Sequence, residues 1–239
     1  MRVVLSLLVV CFAVVATKSA NADFISFTQN PTTNSSDWNN FVTGFGQVNS
    51  NVDFDAMPVG PLQSNFYQAS DGVTFSTVGD VDTVVFGAGP GQANTGSAPG
   101  EGSHAASNYL EDGIDGSELT ISFDTGVFGA GFFTVDYFNP NQNNFLELEA
   151  FTGVDGTGTS LGTATSVAMN FQQNRLYFMG VGSSEGDIRS IVFRNPSDSV
   201  GDILGIDDIV FAPVPEPSAS ILIAISSALV LRRRKRVGN

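Results

Sequence analysis

The sequence is poor in the residues that hold metals or form crosslinks. Its 239 residues include one cysteine, Cys11, and one histidine, His104. Cys11 lies in the apolar run that begins the chain, so loss of that run would leave a protein without disulfides. The nitrogen and sulfur ligands of common zinc sites are also missing. The fold must therefore be held together by its core rather than by covalent bridges.

Basic residues are almost absent from the long middle of the chain. Between Asp23 and Pro217 there is no lysine, and the only arginines are Arg175, Arg189 and Arg194. All 24 acidic residues fall in the same stretch, so three arginines leave it a formal charge of −21. Such a field repels nucleic acid and anionic membranes, and it suits secretion or divalent cations.

Catalytic motifs are scarce. Gly182-Ser183-Ser184-Glu185-Gly186 matches the Gly-x-Ser-x-Gly string. A nucleophile elbow needs a helix after the serine and a later histidine, whereas His104 precedes it and residues 188–193 have a strand pattern. A Gly/Ser turn is the better interpretation. No glycine-rich nucleotide loop is present. Paired carboxylates for glycoside hydrolysis stay open because acidic residues are abundant.

The N-terminus has the features of a secretory signal peptide. Arg2 is followed by an apolar run over residues 3–16, and Ala20 and Ala22 supply the small residues that a signal peptidase reads. We therefore predict a signal peptide over residues 1–22, with cleavage before Asp23.

The C-terminus carries a second hydrophobic segment. Val214-Pro215-Glu216-Pro217 precedes an apolar stretch over residues 219–231 and a basic run over residues 232–236. Thirteen helical residues rise only about 20 Å, short of the roughly 30 Å hydrocarbon core, so they predict a marginal transmembrane helix. The basic run predicts that the tail lies inside and the rest of the chain outside. An ordinary membrane anchor is the alternative interpretation.

The three parts of this tail, in this order, resemble the bacterial PEP-CTERM sorting signal. The resemblance covers residues 213–239 only. It implies recognition of Val214, Pro215, Glu216 and Pro217 by exosortase, a membrane protease-transpeptidase that cuts near the motif. It also implies an inner-membrane precursor whose ectodomain passes to the cell surface or the extracellular matrix.

Residues 23–212 predict a single all-β ectodomain. Its many Phe, Gly, Asn, Ser and Thr residues, with no long 3.6-residue periodicity, favour a two-sheet β-sandwich of jelly-roll style. Glu147 and Glu149 alternate with apolar residues and should face solvent. Asp155-Gly156 predicts a tight turn. The candidate strands are residues 24–27, 52–54, 73–78, 83–86, 119–123, 131–137, 145–151, 160–168, 176–181, 188–193 and 206–211.

Three short strings resemble ectodomains that often precede this sorting tail. They are Phe54-Asp55-Ala56-Met57-Pro58-Val59-Gly60, Gly72-Val73-Thr74-Phe75 and Gly205-Ile206-Asp207-Asp208-Ile209-Val210-Phe211. The resemblance implies a carbohydrate-binding-module-like sandwich, and it transfers no catalytic residue.

Two kinds of ligand site are predicted in this domain. Asp55, after an early strand, should meet Asp207 or Asp208 in the last strand, because terminal strands of sandwiches often pair; these carboxylates suit calcium. A solvated acidic surface is the alternative. Four aromatic residues are candidates for stacking on sugar rings, with core packing as the alternative: Trp38, Tyr67, Tyr109 and Tyr137.

The sequence therefore predicts an exported, non-enzymatic surface or matrix protein that binds exopolysaccharide. The alternative is a secreted polysaccharide hydrolase. Two carboxylates in an aromatic-lined groove would favour the enzyme.

Overall fold

The computed structural model describes residues 23–29, 36–44, 50–78, 84–86, 109–112, 118–135, 146–166, 176–194 and 204–215. The predicted signal peptide and the apolar and basic parts of the tail lie outside these ranges. In the described part of the chain there are two helices, α1 (Ser36–Gly44) and α2 (Gln68–Asp71). The strands are β1 (Phe24–Gln29), β2 (Ser50–Val52), β3 (Gly60–Pro61), β4 (Val73–Val78), β5 (Val84–Phe86), β6 (Tyr109–Asp112), β7 (Glu118–Val135), β8 (Glu147–Phe151), β9 (Ser160–Thr165), β10 (Leu176–Ser183), β11 (Ile188–Arg194) and β12 (Leu204–Pro213).

Strand β7 organises the molecule. The first half of this 18-residue strand pairs with β4 on one side and β11 on the other. Its second half pairs with β12 and β10. Strands β10 and β11 thus follow one another along the same edge of β7, separated only by the turn at residues 184–187. All the described strands form one antiparallel sheet, ordered β3-β5-β6-β12-β7-β11-β8-β9, with β1 on β10, β2 on β12 and β4 on β7.

This sheet curves until it is nearly barrel-like. Strand β1 lies close to β9 without pairing with it. The closeness is shown by Gly162 of β9, where an added Cβ would lie 2.7 Å from the ring of Phe24 in β1. The predicted antiparallel β class is confirmed. The two predicted sheets are instead two halves of one hydrogen-bonded sheet, because β7 runs through both.

The core fills the concave side of the sheet. Paired residues in successive strands point inward in rows, as an alternating pattern predicts, and one such row is Phe75, Ile121, Ile191 and Ala150. The largest fully buried side chains include Phe54, Phe123, Phe132, Phe178 and Phe193. Burial of each contributes roughly 1.5–3 kcal/mol.

Helix α1 covers the convex side of the second half of the sheet. Trp38, Phe41 and Val42 follow an i, i+3, i+4 spacing and pack into a second apolar cluster with Phe178. The sequence predicts no helix at these residues, because nine residues are too few to show a long 3.6-residue periodicity.

Glycines form the floor beneath that helix. A Cβ on Gly182 would lie 2.5 Å from Phe41 Cζ, and one on Gly129 would lie 3.0 Å from the Trp38 ring. Both glycines lie on the convex face of the sheet, directly across from each other on β10 and β7. The aromatic rings can contact the backbone of the sheet only because these positions have no side chain.

Candidate functional site

The turn at residues 184–187 takes the place of the supposed nucleophile elbow. Ser183 is buried, and its hydroxyl donates a hydrogen bond to Asp187 Oδ1 at 2.6 Å. Gly186 has a φ of +65°, which favours glycine, and its amide donates to the Ser183 carbonyl at 3.3 Å. The central serine of the Gly-x-Ser-x-Gly string is Ser184, and strand β11 rather than a helix follows it, so the strand–turn–helix context of a nucleophile elbow is absent here. Ser183, the residue before it, has a structural role.

The beginning of the described chain reaches the same turn. The backbone N–H of Asp23 donates to Ser184 Oγ at 3.3 Å, and β1 starts beside the end of β10, with Phe24 opposite Ser183. The predicted first residue of the mature protein is therefore attached to this turn.

The end of the described chain reaches it too. Pro213 pairs with Val127, and the backbone N–H of Val214 donates to the Gly126 carbonyl at 3.1 Å. A Cβ on Gly186 would overlap Val214 Cγ2 and lie 3.0 Å from the Phe128 ring. The fold thus extends through Val214, two residues past the predicted domain end at residue 212. Pro215 is exposed, while Glu216 and Pro217 lie outside the described residues.

We call this end of the molecule the terminal pole. It consists of Asp23, Gly126, the segment Ser183 to Asp187 and Val214. Both chain ends of the described domain leave from it.

The predicted calcium ligands are placed as follows. Asp207 is fully buried, and its Oδ1 accepts a hydrogen bond from the Asp208 amide at 2.8 Å. Asp208 Oδ1 accepts from Asn51 Nδ2 at 3.2 Å. Asp55 is exposed in the turn after β2, where its amide donates to Asp53 Oδ1 at 3.1 Å.

Early and last strands do meet, since β2 pairs with β12 and places Val52 opposite Ile209. Among the residues that the structure describes, however, no three potential ligands of the His, Cys, Asp or Glu type come together in a way that would hold a metal. Calcium binding by Asp55, Asp207 and Asp208 stays a prediction.

Two of the four aromatic candidates belong to the core. Trp38 is 3% exposed and packs against Phe27 and Phe178, and Tyr67 is 6% exposed. Neither can stack on a sugar, so core packing is the correct interpretation for both. The side chains of Tyr109 and Tyr137 lie outside the described residues.

Tyr67 has an unusual environment. Its hydroxyl is buried without a hydrogen-bond partner. Burial, followed by the negative charges of Asp53, Asp71 and Asp55, raises the pKa of Tyr67 to about 12. The Met57 backbone acts to lower this pKa, but it does not reach the geometry of a hydrogen bond to the hydroxyl.

A charged network crosses the convex face of the first half of the sheet. Arg194 Nε donates to Glu118 Oε1 at 2.7 Å, and Arg194 Nη1 donates to Glu149 Oε2 at 2.6 Å. Glu149 also accepts from Ser160 Oγ at 2.5 Å. Partial burial acts to raise the pKa of Glu149, but the hydrogen bonds from Ser160 and Arg194 outweigh it and lower that pKa. The outward direction predicted for Glu147 and Glu149 is confirmed.

Neighbouring residues extend this network into a polar band. Five residues lie side by side, one on each of the strands β4, β7, β11, β8 and β9: Val78, Glu118, Arg194, Glu147 and Thr165. At the usual spacing between strands, this row is about 19 Å wide. We define the polar band as this row together with Glu149 and Thr163, which lie in the adjacent row.

The loop between β8 and β9 closes one end of the band. The Asp155 amide donates to Ser122 Oγ at 2.9 Å, and the Gly156 amide donates to Ser190 Oγ at 3.0 Å. Asp155 and Gly156 have φ values of +54° and +66°, as the predicted turn requires, but the connection spans residues 152–159 and folds back over the sheet.

Comparison with known proteins gives only distant structural matches. No family model matches the chain, and no curated protein matches it. A cleaved adhesin domain of Lys-gingipain superposes with a TM-score of 0.44 at 13% identity, covering 69% of this chain and 97% of that one. A second such domain, from Porphyromonas gingivalis, gives 0.42 at 13% identity, with 70% and 99% covered. A family 11 carbohydrate-binding module from Clostridium thermocellum, in complex with a mixed-linked tetrasaccharide, gives 0.34 at 12% identity, with 70% and 97% covered.

Within the described residues, no helix is long and apolar enough to cross a membrane. The predicted transmembrane segment, residues 219–231, lies outside those residues.

Proposed function

We propose that this protein is an exported, non-enzymatic β-sandwich-like domain of the cell surface or extracellular matrix. An exosortase-type enzyme processes its precursor at the inner membrane. The observation that carries this proposal is the position of the strands on the chain: β1 begins at Phe24, one residue after the predicted cleavage site, and β12 ends at Pro213, one residue before the sorting motif. Removal of the tail beyond the motif leaves every described strand intact.

The charge of the domain supports export in a released form. A formal charge of −21 between Asp23 and Pro217 keeps the domain soluble and repels it from anionic lipid. Membrane association of the precursor then depends on the hydrophobic tail alone, so removal of that tail frees the domain.

The polar band is the surface that we assign to polysaccharide. Its carboxylates, hydroxyls and single arginine offer hydrogen-bond donors and acceptors in fixed positions, because Arg194 is held between Glu118 and Glu149. The negative charge of the domain favours a neutral polysaccharide over an anionic one.

The hydrolase alternative gains no support from this band. Glu118 and Glu149 both bind Arg194, and the lowered pKa of Glu149 opposes a role as proton donor.

A glycan array probed with secreted mature protein tests the binding function. Binding to a neutral polysaccharide should weaken at least about tenfold when Glu147 and Thr165 are both changed to Ala, since each hydrogen bond to a ligand is worth about 1 kcal/mol. Thr125→Ala, at an exposed position away from the band, is the matched control. Release of reducing sugar in a parallel hydrolysis screen would establish the enzyme instead.

A further inference from the structure

We infer that Val214 is an end latch, meaning that its contacts with Gly126 and Gly186 fix the point beyond which the tail can be processed. This inference rests on the proposed function, because it specifies how the folded domain presents its tail to the processing enzyme.

The latch depends on two glycines. The Val214 amide donates to the Gly126 carbonyl, and the Val214 side chain occupies the place that a Cβ on Gly186 would take. A Cβ on Gly126 would in turn overlap the Gly186 carbonyl. Gly186 also has the positive φ that other residues adopt at a cost. Neither position can accept a side chain without displacing Val214 or the turn.

The latch separates the peptide bonds that the fold protects from a protease from those that a protease can reach. Pro213 lies in the β12–β7 ladder, so a bond before Val214 can enter a protease only if the end of β12 separates from β7. Pro215 has no amide hydrogen and cannot continue the ladder. Pro215 is exposed, so the protection that the ladder gives the chain ends at Val214.

Both ends of the domain leave from the terminal pole. The bond that the signal peptidase cuts lies just before Asp23, whose amide contacts Ser184. The apolar segment begins five residues after Val214, a distance of at most about 18 Å. In the precursor, the terminal pole therefore faces the membrane, and both cuts are made at that face.

Hydrogen exchange can observe the latch directly. Residues 213, 215 and 217 are prolines, so Val214 and Glu216 carry the only amide hydrogens of this five-residue stretch. In full-length precursor, we expect the Val214 amide to exchange at least about tenfold more slowly than in a free chain, and Glu216 to exchange freely. Free exchange at both amides in the wild type would overturn the latch.

Two variants and one control test its dependence on the glycine. Gly186→Ala should release the Val214 amide. Gly156→Ala should not, although Gly156 has nearly the same φ (+66°) and a side-chain neighbour 2.9 Å from its Cβ position. If Gly186→Ala does not fold, Val214→Gly removes the same side-chain contact and should raise exchange at residue 214. Unchanged protection in the variant that folds would contradict the inference.

Intact mass of mature protein from the native host tests the consequence for processing. Wild-type protein should end at or beyond Pro215, and the latch variant should acquire ends within β12. Wild-type ends before Val214, or identical ends in a variant whose Val214 exchanges freely, would refute the latch. If the whole basic tail persists while Val214 stays protected, the proposed processing fails and the latch stands.

Discussion

Asp23 and Val214, which are far apart in the sequence, contact the same turn. The Asp23 amide donates to Ser184 Oγ at 3.3 Å, and Val214 packs on Gly186 two residues further along. The turn thus holds the first and last residues of the described fold together, which limits fraying of the two terminal strands.

This contact supports a prediction about the mature N-terminus. Secreted protein should begin at Asp23, because strand β1 starts at the next residue and needs no earlier partner. N-terminal sequencing of material from the culture medium checks this. A cytosolic pool that retains Met1 as the main form would contradict export.

Processing of the tail should depend on the proline motif. Changing Pro215, Glu216 and Pro217 together to Ala should leave a full-length, membrane-retained precursor, because the extended substrate is lost. Immunoblots of membrane and medium fractions measure the effect. Wild-type mature protein that still carries the basic run at residues 232–236 would show that the tail is a plain anchor.

The glycine floor should be intolerant of side chains. Gly182→Val places methyl groups where Phe41 lies, so we expect a loss of about 1–3 kcal/mol in the free energy of unfolding. Gly44→Ala, at the end of α1 with open space around its Cβ position, is the control and should be neutral or slightly stabilising. Urea denaturation compares the three proteins. Equal midpoints for wild type and Gly182→Val would refute close packing of α1.

The Arg194 network should make stability depend on acidic pH. The pKa of Glu149 is lowered in the folded state. The ionised carboxylate therefore stabilises the fold above pH 4.5, the usual pKa of a glutamate, and this stabilisation is lost as the pH falls through the lowered pKa. Because solvent screens these partly exposed charges, we expect the stabilisation to be about 1 kcal/mol in the free energy of unfolding.

Glu149→Gln should flatten the unfolding free energy over that acidic range. Thr163→Ala, which alters the residue opposite Glu149 on β9 but keeps the ion pair, should follow the wild type. Parallel curves for wild type and Glu149→Gln would show that the pair contributes nothing.

Tyr67 should make the stability of the protein depend on pH in the alkaline range. Its raised pKa means that the folded state retains a proton that the unfolded state releases above pH 10, so stability falls as pH rises from 10 towards 12. Tyr67→Phe should reduce that fall. At neutral pH it should be neutral or stabilising, by up to about 1 kcal/mol, because the lost hydroxyl has no partner. Destabilisation at pH 7 would reveal a bond to the hydroxyl.

Strand identity was largely predictable, and strand continuity was not. Residues 73–78 were predicted with the bounds that the structure gives, because a period-two pattern sets one face inward. Residues 119–123 and 131–137 were predicted as separate strands, with residues 124–130 left between them. The chain bends there within one strand, and only the partners on both sides reveal it.

The candidate site was less predictable. Outward carboxylates on β8 follow from alternation, but the choice of Arg194 as their partner depends on the β8–β11 register. Tyr67 and Trp38 were candidates for a surface role because a sequence cannot show which aromatic residues a missed helix and a tight turn will cover. The contact of both chain ends with one turn required the whole topology.

Strand β12 is the last of the described strands along the chain, yet it lies inside the sheet, with β7 on one side and β6 and β2 on the other. A polypeptide secreted from its N-terminus delivers this strand last. In the export that we propose, β7 lacks one of its neighbours until residue 213 has crossed, and the sheet stays open. Closure of the sheet and arrival of the apolar tail in the translocation channel would then coincide, so the domain would become complete at the moment when only its tail still connects it to the cell.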